Sequence, residues 1–178
     1  VAKVRRNGKE YMQKFERGIP TTTLDEIGEA DSTGTTIYFK PDAEIFETVE
    51  FEFNVLETRF REMAFLNKGV KIILEDERKD LRKEFHFEGG SKSFVEYINR
   101  NKNPIHKDVI YFETIKDGTL VELAIQYTDS YNENVLTFAN NINTHDGGTH
   151  LSGLRSALTR VMNDYGRKNG FLKDKDEN

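Results

Sequence analysis

The chain has 178 residues and a formal net charge of −5, with 36% apolar and 32% charged residues, which fits one domain or parts of two. It contains 13 Phe and 7 Tyr, which argues against a disordered chain, and no cysteine, which excludes disulfides, thiolate metal sites and cysteine nucleophiles. The negative charge disfavours a free-standing nucleic-acid binder, whose affinity would come mainly from Lys and Arg, and no apolar run reaches the ~20 residues of a membrane span.

The first forty residues predict a β-hairpin, a loop and a further strand. Asn7-Gly8 is the dipeptide that two-residue hairpin turns favour, because both turn positions need positive φ, and it joins the alternating segments 1–6 and 9–17. Residues 18–30 have the composition of a loop and lead into a turn cluster. Residues 35–39 alternate and are β-branched, so we predict a strand there.

A helix and two strands follow. Asn54 and Glu57 have the spacing of a capping box, and apolar residues at helical spacing continue from it, which predicts a helix over 55–66. Residues 70–75 and 83–87 alternate on either side of a charged turn, as paired strands do.

Gly89-Gly90 is the candidate boundary between two domains, residues 1–89 and 90–178. Ser93 and Glu96 form a second capping box, which predicts that another helix opens just after this boundary.

The second half then predicts three strands and a long helix. The strands are expected at 109–115, 120–127 and 134–140, with Lys116-Asp117-Gly118 as the turn between the first two. The order of elements predicts an α+β fold. The last helix carries apolar side chains at steps of three and four residues, namely Leu151, Leu154, Leu158, Val161, Met162 and Tyr165.

A search for catalytic patterns finds none. The four histidines, His86, His106, His145 and His150, lack the paired spacing of a metal site, and there is no nucleophile elbow or phosphate-binding glycine loop. Paired carboxylates are plentiful but lie in segments that we expect to be solvated. The residues alone therefore indicate an α+β protein with no visible catalytic centre.

Several segments, taken in order and spacing, resemble the ATP-binding subunits of bacterial type IIA DNA topoisomerases, the gyrase B and topoisomerase IV group. Residues 33–39 (Thr-Gly-Thr-Thr-Ile-Tyr-Phe) resemble the threonine motif of that family, and 59–69 resemble the helix and turn that follow it. The resemblance runs from residue 6 to 165. Its remaining segments are 87–90 and 94–97, at the passage into the next domain, and 138–142 followed by Gly-Gly-Thr-His at 147–150.

The resemblance implies a fold and a parent activity. Residues 1–89 would be the C-terminal part of a GHKL (Bergerat) ATPase domain, a sheet with helices on one face. Residues 90–178 would begin a transducer domain with a left-handed, ribosomal-protein-like βαβ element, which relays the ATP state to the DNA gate. Overall similarity favours the supercoiling gyrase branch; the decatenating topoisomerase IV branch and a non-catalytic α+β binding module are the alternatives.

Four residues match positions that touch ligands in that family. Thr35 would lie in the adenine pocket, where a hydroxyl can both donate and accept a hydrogen bond, and Ile37 would line the same pocket. Arg6 would stand at its mouth, where aminocoumarin inhibitors bind, and Arg155 would face the cavity through which DNA passes. The ordinary alternatives are a strand threonine and solvated arginines.

Other family residues would lie outside this sequence. The catalytic glutamate, the magnesium-binding asparagine and the phosphate-binding glycines would precede Val1, and the lysine that reaches the γ-phosphate would follow Asn178. We therefore expect no catalytic residue here, and an isolated chain that neither hydrolyses ATP nor binds ATP and magnesium tightly. The start without Met and the charged segment 173–178, which is typical of a linker, indicate an internal fragment.

The resemblance also implies partners and structural roles. The parent would assemble with the A subunit of gyrase and DNA, dimerise through its B subunits when ATP binds, and work in the cytoplasm without a membrane. Asn140 and Asn141 are expected in left-handed turn positions, Thr149 as a helix cap, and His150 in a structural role.

Overall fold

The computed structural model describes residues 1–173, which form an α+β fold, as predicted. The chain divides into two compact units, Val1–Glu52 and Phe53–Asn178. The predicted linker lies, apart from Lys173, outside the described residues.

The first unit contains six strands: β1 (Ala2–Arg6), β2 (Lys9–Gln13), β3 (Phe15–Glu16), β4 (Ile19–Pro20), β5 (Asp25–Glu29) and β6 (Gly34–Ile37). The second contains α1 (Phe53–Leu66), β7 (Lys71–Asp76), β8 (Leu81–His86), α2 (Gly90–Asn99), β9 (Ile110–Lys116), β10 (Thr119–Ile125), β11 (Phe138–Ala139), β12 (Ile142–Asn143) and α3 (Thr149–Lys168).

The first unit is built on a four-stranded antiparallel sheet with the order β5-β2-β1-β6. The predicted hairpin is confirmed: β1 pairs with β2, and Asn7 and Gly8 have φ values of 55° and 77°. Positive φ at both positions is what a two-residue type I′ turn requires. The predicted strand at 35–39 is confirmed as β6, which lies on the other side of β1.

The prediction of a loop over 18–30 is wrong. Strand β5 lies within it and pairs with β2, and the short β4 pairs with β3 across Arg17 and Gly18, which have φ values of 48° and 82°. Ile27 is the sole apolar side chain of β5, so no hydrophobic alternation marks this strand in the sequence. Pairing of its backbone with β2 forms it, which local composition does not reveal.

The second unit has a hydrophobic core between α1 and the β7–β8 hairpin. Phe53 and Ala64 of the helix are buried against Leu74 and Phe85 of the hairpin, and partly buried apolar side chains surround them. The helix and both strands were predicted, because each of them turns an apolar face towards the same core.

An aromatic cluster continues this core into helix α2. Phe65, which is 2% exposed, stacks on Phe87 with ring centroids 3.6 Å apart and on Phe94 at 4.9 Å, and Tyr97 lies 5.4 Å away. Because Phe65 comes from α1 and Phe94 from α2, these rings pack the segments on either side of Gly89-Gly90 against each other.

The predicted helix caps are wrong in detail. Asn54 and Ser93 lie inside α1 and α2, one and three residues after the first helical residue. Thr149 begins α3, and its N-cap, Gly148, makes no side-chain capping bond. At the start of α2, a residue of strand β10 fills the capping role. Glu122 accepts hydrogen bonds from the N–H and the hydroxyl of Ser91, at 3.4 and 2.8 Å. A carboxylate at this end also complements the helix dipole.

Residues 109–127 form the predicted hairpin, β9 and β10, with Asp117 and Gly118 at positive φ. The predicted strand over 134–140 is wrong except for the two residues of β11, which pairs with β12 across Asn140-Asn141. Both asparagines have positive φ, as predicted, at 48° and 64°. Every hydrogen-bonded strand pair in residues 1–173 is antiparallel.

Helix α3 is formed as predicted and extends to Lys168, with Gly170 at φ 73° just beyond its end. Its apolar stripe does not build a core: Val161, Met162 and Tyr165 are each 58% exposed. The helical period of the apolar residues therefore predicted the helix correctly. The burial of those apolar side chains, which an amphipathic helix suggests, does not occur within the described residues.

Candidate functional site: one face of the first sheet

Strand register places three of the predicted ligand-contacting residues on a single face of the first sheet. Thr35 pairs with Val4 and Ile37 pairs with Ala2. Side chains directly opposite in an antiparallel pair point to the same face, and side chains two apart in one strand also share a face. Arg6, two residues after Val4 in β1, therefore lies on the face that carries Thr35 and Ile37.

This face is accessible from solvent. Arg6 and Thr35 are exposed, and Ile37 is 64% exposed, while Val4 and Tyr11 on the same face are half-buried. The arrangement offers a hydroxyl, an apolar surface and a guanidinium side by side. Such a set suits a flat heteroaromatic ligand that carries hydrogen-bonding groups at its rim.

The opposite face of the same strands has a different chemistry. Arg5 pairs with Gly34, and its guanidinium donates a hydrogen bond to the hydroxyl of Ser32 at 3.3 Å. Thr36 pairs with Lys3 and therefore also lies on this second face. Each face of these strands thus carries one threonine and one arginine. Thr36 and Arg5 on the second face are residues of the same types as the predicted Thr35 and Arg6 on the first.

Arg155 is not part of this constellation, since it belongs to helix α3 of the second unit. Its guanidinium donates to the carboxylate of Glu133 at 3.0 Å, and both side chains are more than half exposed. His150 lies near the start of the same helix, and its Nε2 is 3.2 Å from the hydroxyl of Thr144, which also bonds to Thr137. A structural role for His150 agrees with these contacts.

Two shallow concavities occur elsewhere in the described residues. One is formed by a loop of the first unit, and the other lies between α1 and the segment that includes β12. Neither is lined by Arg6, Thr35, Ile37 or Arg155. A single open sheet face is not concave, so it does not enclose a volume. The lining residues are Lys40, Pro41, Asp42, Ala43 and Val49 in the first, and Asn54, Val55, Thr58, Arg59, Glu62, Ile142, Asn143 and His145 in the second.

A polar cluster that the sequence did not suggest is centred on Lys68, in the turn after α1. The Lys68 ammonium donates hydrogen bonds to Tyr111 Oη at 3.1 Å and to Glu113 Oε2 at 3.2 Å, and it lies 3.6 Å from Glu122 Oε1. Tyr111 in turn donates to Glu113 at 2.9 Å. The partners are more than forty positions away from Lys68, so no local spacing pattern reveals them.

The ionisation of this cluster reflects its contacts. Hydrogen bonds to Tyr111 and then to Glu113 raise the pKa of Lys68 above its usual value. The hydrogen bonds from Tyr111 and Lys68 hold the pKa of Glu113 below its usual value. For Tyr111, the hydrogen bond from Lys68 lowers the pKa. Burial and the hydrogen bond to Glu113 together raise the pKa by more, so the net shift is upward. The charged forms of Lys68 and Glu113 stabilise each other.

Neither a metal cluster nor a membrane helix is found in residues 1–173. No three His, Asp or Glu side chains there are grouped so that they could hold a metal ion. None of the helices in that range combines the length and hydropathy needed to cross a bilayer.

The sequence matches a known protein family. A family model described as DNA gyrase B matches residues 90–178. The chain is 55% identical to the DNA gyrase B subunit of Bacillus mycoides over 177 residues, which is 98% of this chain and 44% of that protein. It is 53% identical to the DNA gyrase B subunit of Clostridium acetobutylicum, again over 98% of this chain but 28% of that protein. The chain thus spans less than half the length of these curated relatives.

Solved structures give the same result. The 43K ATPase domain of Thermus thermophilus gyrase B, crystallised with an aminocoumarin, is similar over the whole chain and 49% of its own, with a TM-score of 0.80 and 35% identity. The B-subunit of Myxococcus xanthus DNA gyrase shares the fold with a TM-score of 0.78 over 88% of this chain and 47% of its own, at 24% identity. Since the family model covers half of the sequence and the relatives agree with it, the chain belongs to the DNA gyrase B family.

Proposed function

We propose that the chain is the junction between the ATPase and transducer domains of a DNA gyrase B subunit, a part of an ATP-dependent type IIA topoisomerase that introduces negative supercoils. The observation that carries the proposal is the shared sheet face of Arg6, Thr35 and Ile37, in a chain whose relatives are DNA gyrase B subunits. The start of the family-model match at residue 90 supports a domain boundary at Gly89-Gly90.

In this proposal the sheet face forms one wall of a nucleotide pocket. The Thr35 hydroxyl holds the adenine edge, directly or through a water, because it can donate and accept. Ile37 contacts the flat face of the base, and Arg6 supplies guanidinium donors at the mouth for ATP or for an aminocoumarin. ATP brings the phosphate bond whose hydrolysis drives the parent enzyme. The rest of the pocket, including the magnesium ligands, comes from the remainder of the parent protein.

The proposed partners follow from the same assignment. The parent would assemble with the A subunit of gyrase and DNA in the cytoplasm, and pairs of B subunits would associate when ATP binds. Arg155 would face the DNA passage, where phosphates would compete with Glu133 for its guanidinium. Its position in an exposed pair, rather than in a core, leaves it able to exchange partners.

A comparison of Thr35→Ala with Thr36→Ala in the full-length parent tests the pocket assignment. The two threonines are neighbours on opposite faces of β6. Loss of one ligand hydrogen bond is worth about 0.5–1.5 kcal/mol, so Thr35→Ala should weaken ATP binding roughly 2- to 12-fold in calorimetry. Thr36→Ala should leave it unchanged. Equal effects of both substitutions would contradict the proposed face.

Arg6→Ala and Arg5→Ala provide the corresponding pair at the pocket mouth. Aminocoumarin binding by the parent should weaken in Arg6→Ala, because the guanidinium donors are lost, and should persist in Arg5→Ala, whose side chain is bound to Ser32 on the other face. Inhibitor affinity that falls only in Arg5→Ala would reverse the assignment of the faces.

The isolated 178-residue chain should have no ATPase activity. A general base must lie within hydrogen-bond reach of the attacking water, and the proposed catalytic glutamate belongs to another part of the parent. Steady-state phosphate release by the purified chain, at a rate comparable with that of the full-length protein, would overturn this assignment.

A further inference from the structure

Helix α1 belongs to the proposed ATPase domain, whereas α2 and the β9–β10 hairpin belong to the proposed transducer. The turn that ends α1 is the place where these parts are tied together by polar contacts. Lys68 reaches from this turn to Tyr111 and Glu113 on β9 and to Glu122 on β10, at 3.1, 3.2 and 3.6 Å. Its charge therefore lies between two carboxylates that come from adjacent strands of one hairpin.

Glu122 extends the connection to a third element. The same carboxylate oxygen that lies near Lys68 accepts the hydroxyl hydrogen bond of Ser91 at the start of α2. One oxygen atom thus joins the end of α1, the hairpin and the first turn of α2. A displacement of any one of the three elements must break or rearrange contacts to the other two.

Gly90, the second glycine of the boundary, allows the Lys68 side chain to approach the backbone closely. Gly90 has φ 59°, and a Cβ added to it would come within 2.2 Å of Lys68 Cε and 3.2 Å of Glu122 Oε1. The lysine stem therefore passes directly over Gly90. A boundary that merely needed flexibility would not require so close an approach at this position.

The neighbouring residue makes a second connection from the same turn. Asn67 bonds back to the Met63 carbonyl at 2.7 Å, which fixes its amide, and its oxygen accepts a hydrogen bond from Asn141 at 2.8 Å. Asn141 lies in the turn between β11 and β12, with φ 64°. Two consecutive residues after α1 therefore contact two separate hairpins of the proposed transducer.

We propose that Asn67 and Lys68 form a mechanical joint through which helix α1 moves two hairpins. Lys68 is the positioning residue for β9–β10, and Asn67 holds the turn between β11 and β12. This inference rests on the proposed function, because it names how that function would be coupled. Neither residue of the joint is among the proposed ligand-contacting residues, Arg6, Thr35, Ile37 and Arg155. The joint transmits a change of position, since Lys68 and its carboxylate partners hold the β9–β10 hairpin to α1 when α1 shifts.

The test uses the full-length parent assembled with the A subunit of gyrase, and compares Lys68→Met with Lys71→Met. Lys71 is a matched control, because it is similarly exposed and pairs with Glu84 at 2.8 Å, but only across the β7–β8 hairpin. Two rates are measured for each protein, ATP hydrolysis and DNA supercoiling. Lys68→Met should keep hydrolysis close to wild type while supercoiling per ATP falls roughly fivefold, and Lys71→Met should change neither.

Glu113→Gln gives a second variant of the same joint and should lower supercoiling per ATP in the same direction. A ratio that is unchanged in Lys68→Met, or that falls equally in Lys71→Met, would overturn the joint. A proportional loss of both rates, which leaves the ratio unchanged, would show a structural role only and would also overturn it. Wild-type protein without ATP-driven supercoiling would instead overturn the proposed function, and the joint with it.

Discussion

The two compact units of the chain differ in what holds them together. All residues of Val1–Glu52 are described, and none of them is buried. The second unit contains all of the buried apolar side chains found in the described residues, namely Phe53, Ala64, Phe65, Leu74, Phe85, Phe94 and Val109. The first unit is thus held by strand pairing and tight turns, and the second by a core.

This difference separates the two proposed roles. Backbone hydrogen bonds contribute little net stability because water competes for them, whereas apolar burial contributes roughly 25 cal/mol per Å². A sheet without a core can present Arg6, Thr35 and Ile37 on an open face. A joint that transmits movement needs rigid neighbours, which the Phe65 cluster supplies beside Lys68. The proposed binding wall and the proposed coupling element therefore lie in parts of this chain that are held by different interactions.

The largest expected effect is from Phe65→Ala. Removing a buried aromatic side chain that stacks on two other rings should destabilise the second unit by about 3–5 kcal/mol. Hydrogen exchange followed by mass spectrometry on the chain should show the loss of protection in α1 and α2. Ile37→Ala, on the exposed sheet face, is the control and should cost no more than about 0.5 kcal/mol.

The contrast between the two units would be contradicted if Phe65→Ala lowered hydrogen-exchange protection in strands β1–β6 as much as in α1 and α2. That outcome would mean that the first unit depends on the core of the second. Loss of protection confined to α1, α2 and the β7–β8 hairpin would support separate sources of stability.

Local chemistry made much of the fold predictable. The turns at Asn7-Gly8 and Asn140-Asn141 were found because positive φ strongly selects residue type, and α1 was found because its apolar period matches a core. Strand β5 was missed because its partner, β2, is what makes it a strand. The helix cap at Ser91 was missed because its acceptor, Glu122, lies 31 positions away.

The candidate site was predictable to a different degree. The identities of Arg6, Thr35 and Ile37 came from the family resemblance. Their common face depends on the register of β1 with β6, and no local sequence pattern reveals that register because the two strands are far apart in the chain. The Lys68 cluster was not predicted at all. An exposed lysine beside a helix end has no distinctive pattern until tertiary structure brings its carboxylate partners to it.

A smaller effect is expected from alanine at the two hairpin glycines, Gly8 and Gly118. Their φ values are 77° and 76°, and no atom lies within 4 Å of a Cβ added to either, so each substitution should cost about 1 kcal/mol of backbone strain alone. Hydrogen exchange of the flanking strands measures the result. We expect Gly8→Ala to open β1–β2 more than Gly118→Ala opens β9–β10. Side-chain contacts tie β9–β10 to Lys68 and Ser91, whereas β1 and β2 lie between strands β6 and β5 without a buried side chain.

Equal opening of the two hairpins would contradict that expectation. It would indicate that the Lys68 contacts add no stability to β9–β10, which would weaken the contrast between the two units without affecting the proposed binding face. The comparison is direct because the two turns have matching backbone geometry and differ mainly in what surrounds their strands.

The smallest expected effect is a difference in acid sensitivity between two similar aspartates. In the second unit, hydrogen bonds from the Arg78 side chain hold the pKa of Asp76 below its usual value. In the first unit, the Glu44 N–H and then Arg17 do the same for Asp42. Because both folded-state pKa values are depressed, each stabilising contribution is complete above the unfolded pKa of 3.8 and is lost as the pH falls through the folded value.

The two carboxylates differ in exposure, since the Asp76 side chain is 8% exposed and that of Asp42 is 30% exposed. We expect Asp76→Asn to flatten the pH dependence of stability of the second unit between about pH 5 and 2, and Asp42→Asn to have a weaker effect on the first, because solvent screens the more exposed pair. Unit-resolved hydrogen exchange across that range measures both. The opposite result would be a larger change in the pH dependence of stability from Asp42→Asn than from Asp76→Asn. That result would show that charge pairing, and not only strand pairing, stabilises the first unit.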